Sequence, residues 1–260
     1  MQLISPSVEL IRTWGNEEDI ANMPNTLYRH GNKMSVEKRI SLLLKYGHYN
    51  VLEFLGAQWL IECSRACTHE LVRHRLASYW QESTRFVDYT KPGNLRFIIP
   101  PSMVDRVKPI LGDLAKAYGE LMGYGIDYAR LILPNALASR IWVSMNMREF
   151  LINFLPLRTG LGAYSELRLI AWLMFDSILD KFPITARWVW VNLPRLHPDY
   201  SIGYAKRMVD KDYVEKLILK YGTSDPRLLS ILSAFEEWGL SIPESLSKLL
   251  KNAGGKINST

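Results

Sequence analysis

The stretch RHRLASYWQESTRF, residues 73 to 86, concentrates side chains that can hold an anion. Arg73, Arg75 and Arg85 carry planar donor forks that match the geometry of phosphate and carboxylate groups. Ser83 adds a hydroxyl close to the last of these arginines. The residue types therefore indicate a site for a phosphate or carboxylate, although composition alone also allows a solvated basic helix end.

The segments before this stretch indicate a mixed helix and strand structure. Residues 36 to 46 have the spacing of a short amphipathic helix. Residues 55 to 62 alternate apolar and polar side chains, which predicts a half-buried strand. Residues 63 to 75 return to helical spacing. We therefore expect the donor-rich stretch to begin at the end of a helix and to continue in a non-helical segment.

The rest of the chain is predicted to be mostly helical. Prolines and a glycine in residues 88 to 103 indicate a loop around one short extended run. The tail, rich in Gly, Ser and Lys, is expected to fray. The fold class is therefore α+β, mostly helical with a small sheet. The helical segments lie at residues 110–122, 126–133, 135–155, 164–181, 208–222 and 226–239.

Composition limits the classes of protein to consider. The chain has 260 residues, of which 48% are hydrophobic, so it can bury a sizeable core. No apolar run approaches the roughly 20 residues that span a bilayer, and the N-terminus lacks a signal-peptide pattern. We expect a cytoplasmic protein that is not a membrane protein. A net charge of +6 suits an anionic partner, such as nucleic acid, acidic lipid or a phosphorylated small molecule.

Two other patterns carry less chemistry. Cys63 and Cys67 are four residues apart in the predicted helix and are expected to be buried free thiols. With His74 they would supply three zinc ligands, whereas a structural zinc site normally has four, so no metal site is expected. GLGAYS, from Gly160, partly matches a dinucleotide glycine pattern but does not follow a strand, so we interpret it as a turn.

The order RHR, seven further residues, Ser and then Arg resembles the signature of the flavin-dependent thymidylate synthases. The resemblance extends over roughly residues 36 to 185. The supporting segments occur in the family's order and are GHYNVLEF, SRACTHELVRHR, RFVDYTKPGNLRFIIP, ARLILP and NMREFLINFLPLR.

The resemblance implies a function, a fold and an assembly. Members of the family transfer a methylene group from methylenetetrahydrofolate to dUMP, and FAD reduced by NADPH converts it to the methyl group of dTMP. They are homotetramers of α+β subunits that share active sites. The implied family domain covers residues 1 to 204, and residues 205 to 260 form a helical C-terminal extension with a frayed tail.

The resemblance also implies roles for individual residues. Arg158 would be catalytic, because its guanidinium would face the uracil and stabilise negative charge on the ring. The phosphate would lie against Ser83 and Arg85. The expected FAD contacts are Asn50, Glu53, Arg73, His74, Arg75, Gln81, Asn146, Arg148 and Asn153. The expected nucleotide contacts are Glu70, Arg73, Gln81, Glu82, Ser83, Thr84, Arg85, Arg130 and Arg158.

The sequence departs from the family pattern at several positions. Glu70 replaces a glutamine, and an arginine near it could compensate its charge. The interval from Asn146 to Arg158 is one residue longer than the family's usual spacing. The other departures are Phe54, Trp80, Phe86 and Gly162. They leave open a divergent member that binds FAD and nucleotide with altered or lost synthase activity.

A nucleic-acid-binding module is the alternative from another class. Tyr79, Trp80 and Phe86 are interleaved with arginines and could stack on bases. However, the matching donors recur in four separate segments rather than along one basic stripe. Nucleic acid is therefore the less favoured partner, and a steep dependence of DNA binding on salt without nucleotide or flavin binding would distinguish it.

Overall fold

The computed structural model describes residues 1–28 and 34–252. Within these residues the chain alternates short strands with helices, and helices follow one another after residue 154. The strands are β1 (Gln2–Leu3), β2 (Ser7–Trp14), β3 (Gly56–Ser64), β4 (Ala77–Gln81), β5 (Arg96–Phe97) and β6 (Ala138–Asn146). The helices are α1 (Glu17–Tyr28), α2 (Val36–Lys45), α3 (Arg65–Leu71), α4 (Val104–Leu121), α5 (Ile126–Ala129), α6 (Leu155–Thr159), α7 (Ser165–Ile178), α8 (Pro183–Leu196), α9 (Ile202–Met208), α10 (Lys211–Tyr221), α11 (Pro226–Glu237) and α12 (Glu244–Asn252).

The main sheet has four antiparallel strands in the order β2-β3-β6-β4. Strand β3 is an inner strand. Its Ala57, Trp59 and Ile61 are fully buried, and the alternate residues Gln58, Leu60 and Glu62 are half-buried. The period of two predicted this strand from sequence, and the structure confirms it. Strands β1 and β5 form a separate parallel pair. Strand β4, which carries the second half of the donor-rich stretch, lies at the edge of the main sheet.

Helix α7 covers the sheet and is buried around most of its circumference. Its Trp172 and Phe175 are fully buried in the main core. Phe235 of α11 and Leu250 of α12 belong to the same core. A helix that is apolar all round is expected at the centre of a helical layer. The division at residue 204 stays a prediction, although helices on both sides of it pack into one core.

Residues 135–155 are not the single helix that the sequence pattern predicted. They form β6 as far as Asn146, a π-helix from Glu149 to Phe154, and the first residue of α6. Strand β6 pairs with strands on both sides, and its alternate residues Ile141, Val143 and Met145 are buried in the main core. Pairing and burial on one face outweighed the local helical spacing. A single helix would have placed Asn146 and Asn153 on one face. In the structure Asn146 is the last residue of β6, and Asn153 lies in the π-helix.

The helix predicted over residues 63–75 is shorter than expected. Cys63 and Ser64 end strand β3, and helix α3 begins at Arg65 because the Ser64 hydroxyl accepts a hydrogen bond from the Cys67 N–H at 3.1 Å. The helix ends at Leu71, so the RHR triplet lies in the turn between α3 and β4. The two cysteines thus belong to different elements.

Most of the other helices agree with the sequence. The helices predicted at residues 36–46 and 164–181 are confirmed as α2 and α7. Helices α1, α8 and α9 were not predicted. Helix α12 was not predicted either, because the tail was expected to fray. Residues 253–260 of that tail lie outside the described residues. In the described part of the chain, no helix combines the length and the apolar character needed to cross a membrane.

Candidate active site

The turn that follows helix α3 is fixed from strand β4. The Tyr79 hydroxyl donates hydrogen bonds to the backbone carbonyls of Leu71 at 3.0 Å and His74 at 2.7 Å. Burial raises the pKa of Tyr79, so the phenol keeps the proton that it donates. The edge strand thereby holds the RHR triplet in place.

His74 lies at the centre of a buried hydrogen-bonded chain. Its Nδ1 is 3.2 Å from Oε1 of Glu149, and the Nε–H of Arg158 donates to its Nε2 at 2.9 Å. A guanidinium can only donate, so Nε2 is the acceptor and the ring proton is on Nδ1. Burial and the nearby Arg158 lower the pKa of His74, and Glu149 opposes them. The ring is therefore neutral at neutral pH.

Glu149 is a buried carboxylate that the sequence analysis did not single out. Both of its oxygens accept hydrogen bonds from Nδ2 of Asn153 at 3.0 Å. Its own N–H donates to Oδ1 of Asn146 at 2.9 Å. The signal that could have revealed it is an acidic residue within the apolar run EFLINF. Because a buried charge needs partners, such a residue is a candidate for the centre of a polar network.

Arg158 is held on a second side by Glu70. Its Nη1 is 2.7 Å from Oε2 of Glu70, and its Nη2 donates to the Glu70 carbonyl at 3.4 Å. The compensation expected for Glu70 is thus present, and the compensating arginine is the one expected to be catalytic. Among the described residues, three of the five N–H donors of Arg158 have protein partners, so two remain for a ligand.

His74, Glu149, Asn153 and Arg158 border an open cavity of about 440 Å³. Arg73 and Arg75 are exposed beside it, and within the described residues neither guanidinium has a hydrogen bond or ion pair. Uncompensated arginine forks fit a phosphate-bearing group such as the diphosphate of FAD. The polar side chains of the wall are Arg73, His74, Arg75, Glu149, Asn153 and Arg158.

A second basic group surrounds Asp127. Arg85 Nη2 lies 3.1 Å from Oδ2 of Asp127, and Arg130 Nη2 lies 3.2 Å from Oδ1. The hydroxyl of Ser83 accepts the N–H of Arg85 at 3.3 Å. The structure therefore brings together three of the residues expected at the nucleotide, and Asp127 is a neighbour that the sequence analysis missed. None of these residues belongs to the wall of the cavity described above.

Three other expected nucleotide contacts lie close to Ser83 in sequence. Gln81 and Glu82 bind other protein side chains, and Thr84 lies in the turn after β4. The Gln81 amide donates to the hydroxyls of Thr68 at 2.9 Å and Ser139 at 3.1 Å. Glu82 accepts the Tyr89 hydroxyl at 3.2 Å. Thr84 is half-buried. In this arrangement Gln81 and Glu82 support the sheet and the loop.

The remaining expected FAD contacts lie apart from the cavity wall. Arg148 Nη1 is 2.5 Å from Oε1 of Glu53, and both side chains are about half exposed. Asn50 is exposed in the short 3-10 helix Tyr49–Phe54. Asn146 ends β6 with its side chain bound to the Glu149 N–H. The expected FAD residues therefore divide into one group at the cavity and another near the start of the π-helix, while Gln81 belongs to neither group and is bound within the sheet.

The two cysteines lie at the junction of strand β3 and helix α3. Their sulfur atoms and a carboxylate oxygen of Glu166 are within 4.8 Å of one another, and all three residues are buried. Burial raises the pKa of both thiols and of Glu166. A zinc site needs thiolates and normally four ligands, and His74 is not part of this group. The arrangement matches protonated core thiols.

The fold and the site define an α+β protein with an open, arginine-lined cavity suited to phosphate-bearing ligands. Residues 9–184 match the sequence model of the family described as thymidylate synthase complementing protein. The chain is 44% identical over 208 residues to the flavin-dependent thymidylate synthase of Pyrobaculum aerophilum, covering 76% of this chain and 84% of that protein. It is 37% identical over 184 residues to that of Pyrococcus abyssi, covering 66% and 74%.

A solved structure has a related fold. It is a UMP/dUMP methylase, PolB from Streptomyces cacaoi, bound with 5-Br dUMP. The TM-score is 0.64 and the sequence identity is 21%, with 72% of this chain and 96% of that chain covered. The family match and the curated relatives establish the identity: this chain belongs to the flavin-dependent thymidylate synthases, which are enzymes.

Proposed function

We propose that this protein methylates dUMP to dTMP, with FAD as cofactor, methylenetetrahydrofolate as carbon donor and NADPH as reductant. Family membership supports the reaction class. The observation that supports this reaction for this chain is the arrangement of Arg158. Its guanidinium is fixed by His74 and Glu70, and two of its N–H donors remain free at the cavity among the described residues. A fixed cation beside the uracil lowers the barrier to forming a carbanion-like ring.

The cavity residues would hold the flavin. FAD, when bound, supplies the reducing equivalents that convert the transferred carbon to a methyl group. Arg73 and Arg75 would neutralise its diphosphate, since among the described residues their guanidinium groups have no partner. His74 and Asn153 would contact it from the inner wall. Asn50, Glu53, Asn146 and Arg148 would contribute to the same cofactor in an assembly of several chains.

The group around Asp127 would bind the nucleotide phosphate. Arg85 and Arg130 lie on either side of one exposed carboxylate, so a phosphate dianion could replace it between them. Ser83 lies at the same turn. Gln81, Glu82 and Thr84 would complete this end of the site, and Arg158 would face the uracil. Because the two arginine groups do not share one cavity wall, we propose that chains combine to complete each site.

The proposed assembly is a homotetramer. Strand β4 is an open sheet edge, and the apolar side chains near it are exposed to an unusual degree: Leu76 is 74%, Trp80 84% and Phe86 88% exposed. Large apolar side chains grouped at a sheet edge are typical of a protein interface. A second copy of this chain would cover them. The cytoplasmic location remains part of the same proposal.

Glu70 supports one alternative within the family. Its carboxylate neutralises the guanidinium that should stabilise the ring anion. If the ion pair persisted with nucleotide bound, it would reduce the electrostatic effect of Arg158. A relative that binds FAD and nucleotide but has an altered reaction would then result.

The test is an anaerobic incubation of the protein with FAD, NADPH, methylenetetrahydrofolate and dUMP, followed by chromatography for dTMP. The wild-type protein should form dTMP. Arg158→Ala should lower the rate by at least roughly 100-fold because it removes a charge that acts mainly in the transition state. The variant should still retain FAD, measured by its visible absorbance after gel filtration.

Arg187→Ala is the matched control for that substitution. Arg187 is an exposed arginine of helix α8 and is not among the residues that line the cavity, so its loss should leave the rate unchanged. Undiminished dTMP formation by Arg158→Ala would refute the role of Arg158. Flavin reduction without any dTMP in the wild-type protein would favour the altered reaction.

A further inference from the structure

We infer that Glu149 is a positioning residue for Arg158, acting through the ring of His74. The inference deepens the proposed function, since it rests on Arg158 as the group that faces the uracil. Glu149 belongs to the π-helix, His74 to the turn after α3, and Arg158 to α6. The three elements therefore meet in one linear arrangement, from carboxylate to imidazole to guanidinium.

The direction of each hydrogen bond in this arrangement is determined by chemistry. The Arg158 Nε–H can only donate, which makes His74 Nε2 an acceptor. The single proton of the neutral ring must then be on Nδ1, and Oε1 of Glu149 is the acceptor at 3.2 Å. Arg158 and Glu149 thus favour the same tautomer, and Glu149 stabilises it from the Nδ1 side. With the other tautomer, two N–H groups would point at each other.

Burial makes this contact more durable than the one on the other side of Arg158. The side chains of Glu149 and His74 are 2% and 5% exposed, whereas that of Glu70 is 45% exposed. An exposed carboxylate can exchange its partner for water or a ligand at little cost. The His74 contact cannot do so, because a buried ring nitrogen without a partner is costly. The orientation of Arg158 therefore depends on His74 whether or not Glu70 is engaged.

The other groups around His74 agree with this role. Its ring packs against the ring of Phe154 in a T-shaped contact, with ring centroids 4.8 Å apart, and its carbonyl accepts the Tyr79 hydroxyl. The ring therefore has little freedom to rotate. Burial and Arg158 lower the pKa of His74, although Glu149 acts in the opposite direction. The lowered pKa keeps the ring neutral, so Nε2 can accept a hydrogen bond.

The first measurement is the protonation of the His74 ring in the ligand-free full-length protein. Solid-state ¹⁵N NMR of histidine-labelled protein distinguishes protonated from unprotonated ring nitrogens, and the His74→Gln spectrum assigns the signals. At neutral pH the wild-type ring should carry its proton on Nδ1 alone. A proton on Nε2 in the wild-type protein would overturn the inference, and no variant is needed for that result.

The second measurement compares Glu149→Leu with Glu149→Gln. Leucine removes the acceptor, so the Nε2–H tautomer should appear and kcat should fall roughly 10- to 100-fold, as for other groups that orient a functional side chain. KM for dUMP should change less, because Arg158 acts mainly in the transition state. Glutamine keeps a carbonyl acceptor, so it should preserve the Nδ1–H tautomer and recover most of the rate.

The control for lost charge is Glu215→Gln, which removes a half-exposed carboxylate paired with Lys206 far along the chain. It should leave both the spectrum and kcat unchanged. An unchanged tautomer or an unchanged kcat in a folded Glu149→Leu protein would overturn the inference. If the wild-type protein formed no dTMP, that result would contradict the proposed function alone. The ring-nitrogen signals would still test the hydrogen bond between His74 and Glu149.

Discussion

Asp127 is the residue that couples the two arginines proposed for the phosphate. Its two oxygens lie 3.1 and 3.2 Å from Arg85 and Arg130, and both arginines are exposed or partly exposed. Without ligand, this carboxylate cancels part of the positive charge that a phosphate would meet. A nucleotide phosphate bound at the proposed position would therefore have to displace it or share the arginines with it.

Asp127→Asn should tighten dUMP binding. The gain should be no more than about fivefold, because an exposed ion pair contributes about 1 kcal/mol or less. Isothermal titration calorimetry at low and high salt would measure it, and the gain should shrink as salt screens the charges. Asp113→Asn, which breaks an exposed pair with Lys116, is the matched control. Weaker binding by Asp127→Asn would show that the carboxylate itself contacts the nucleotide.

Several of the residues that sequence analysis singled out lie in one short segment. Arg73, His74 and Arg85 belong to a contiguous signature, so their types and spacing are visible together. Glu149 is different, because its partner His74 is 75 positions away and no local pattern joins them. Asp127 can likewise be recognised as part of the site only in the folded protein, where Arg85 from another segment forms an ion pair with it. Such contacts are created by folding and cannot be derived from spacing alone.

Helix α3 carries Glu70 and leads into the RHR turn, and its N-terminus is held by a buried network. Glu166 accepts hydrogen bonds from the Ser64 N–H at 2.6 Å and the Ser64 hydroxyl at 2.5 Å, and from the Tyr164 hydroxyl at 3.0 Å. The same Ser64 oxygen caps the helix through Cys67. The position of α3 is thus tied to α7, which bears Glu166.

Ser64→Ala should destabilise the protein by roughly 1 to 3 kcal/mol, because it removes a helix cap and one partner of a buried carboxylate. Urea denaturation followed by circular dichroism would measure the change. Ser35→Ala removes the exposed cap of α2, whose hydroxyl accepts the Lys38 N–H at 3.3 Å, and should cost less. Equal losses in the two variants would contradict the importance of the buried network.

The π-helix shows why the region around the site was hard to predict. The sequence from residue 135 to 155 has apolar residues at both strand and helix spacings, and we predicted helix throughout. Only the pairing of β6 between β3 and β4 decides in favour of a strand. The extra residue between Asn146 and Arg158 is consistent with the wider turn, since a π-helix takes one more residue per hydrogen-bonded ring than an α-helix.

At the scale of the whole molecule, the α+β class and the mostly helical composition were predictable, whereas the four-stranded sheet was not. The sequence showed β3 clearly but gave no interpretation of residues 1–35, where β2 lies. It also hid β6 within a predicted helix. Strand pairing joins segments as distant as Gly56 and Asn146, so the sheet depends on contacts that local periodicity does not contain.

The exposed edge of the sheet leads to a prediction about assembly. Size-exclusion chromatography with light scattering should give the mass of a tetramer, and Trp80→Ser with Phe86→Ser should shift the protein toward smaller species because both remove apolar contact area. Leu219→Ser, at an 83% exposed leucine of α10, is the control and should not change the mass. A wild-type monomer that forms dTMP would contradict shared sites.

Trp80 also gives the protein an optical property. Trp59 and Trp172 are fully buried, so their indoles are shielded from solvent in a single chain, whereas Trp80 is 84% exposed. An indole in water emits at longer wavelengths than one in an apolar environment. Trp14 and Trp142 are also exposed, at 37% and 39%, so the red component of the emission spectrum should come mainly from Trp80 and should move toward blue as chains associate. Association could then be followed in real time by the protein's own fluorescence, without a label.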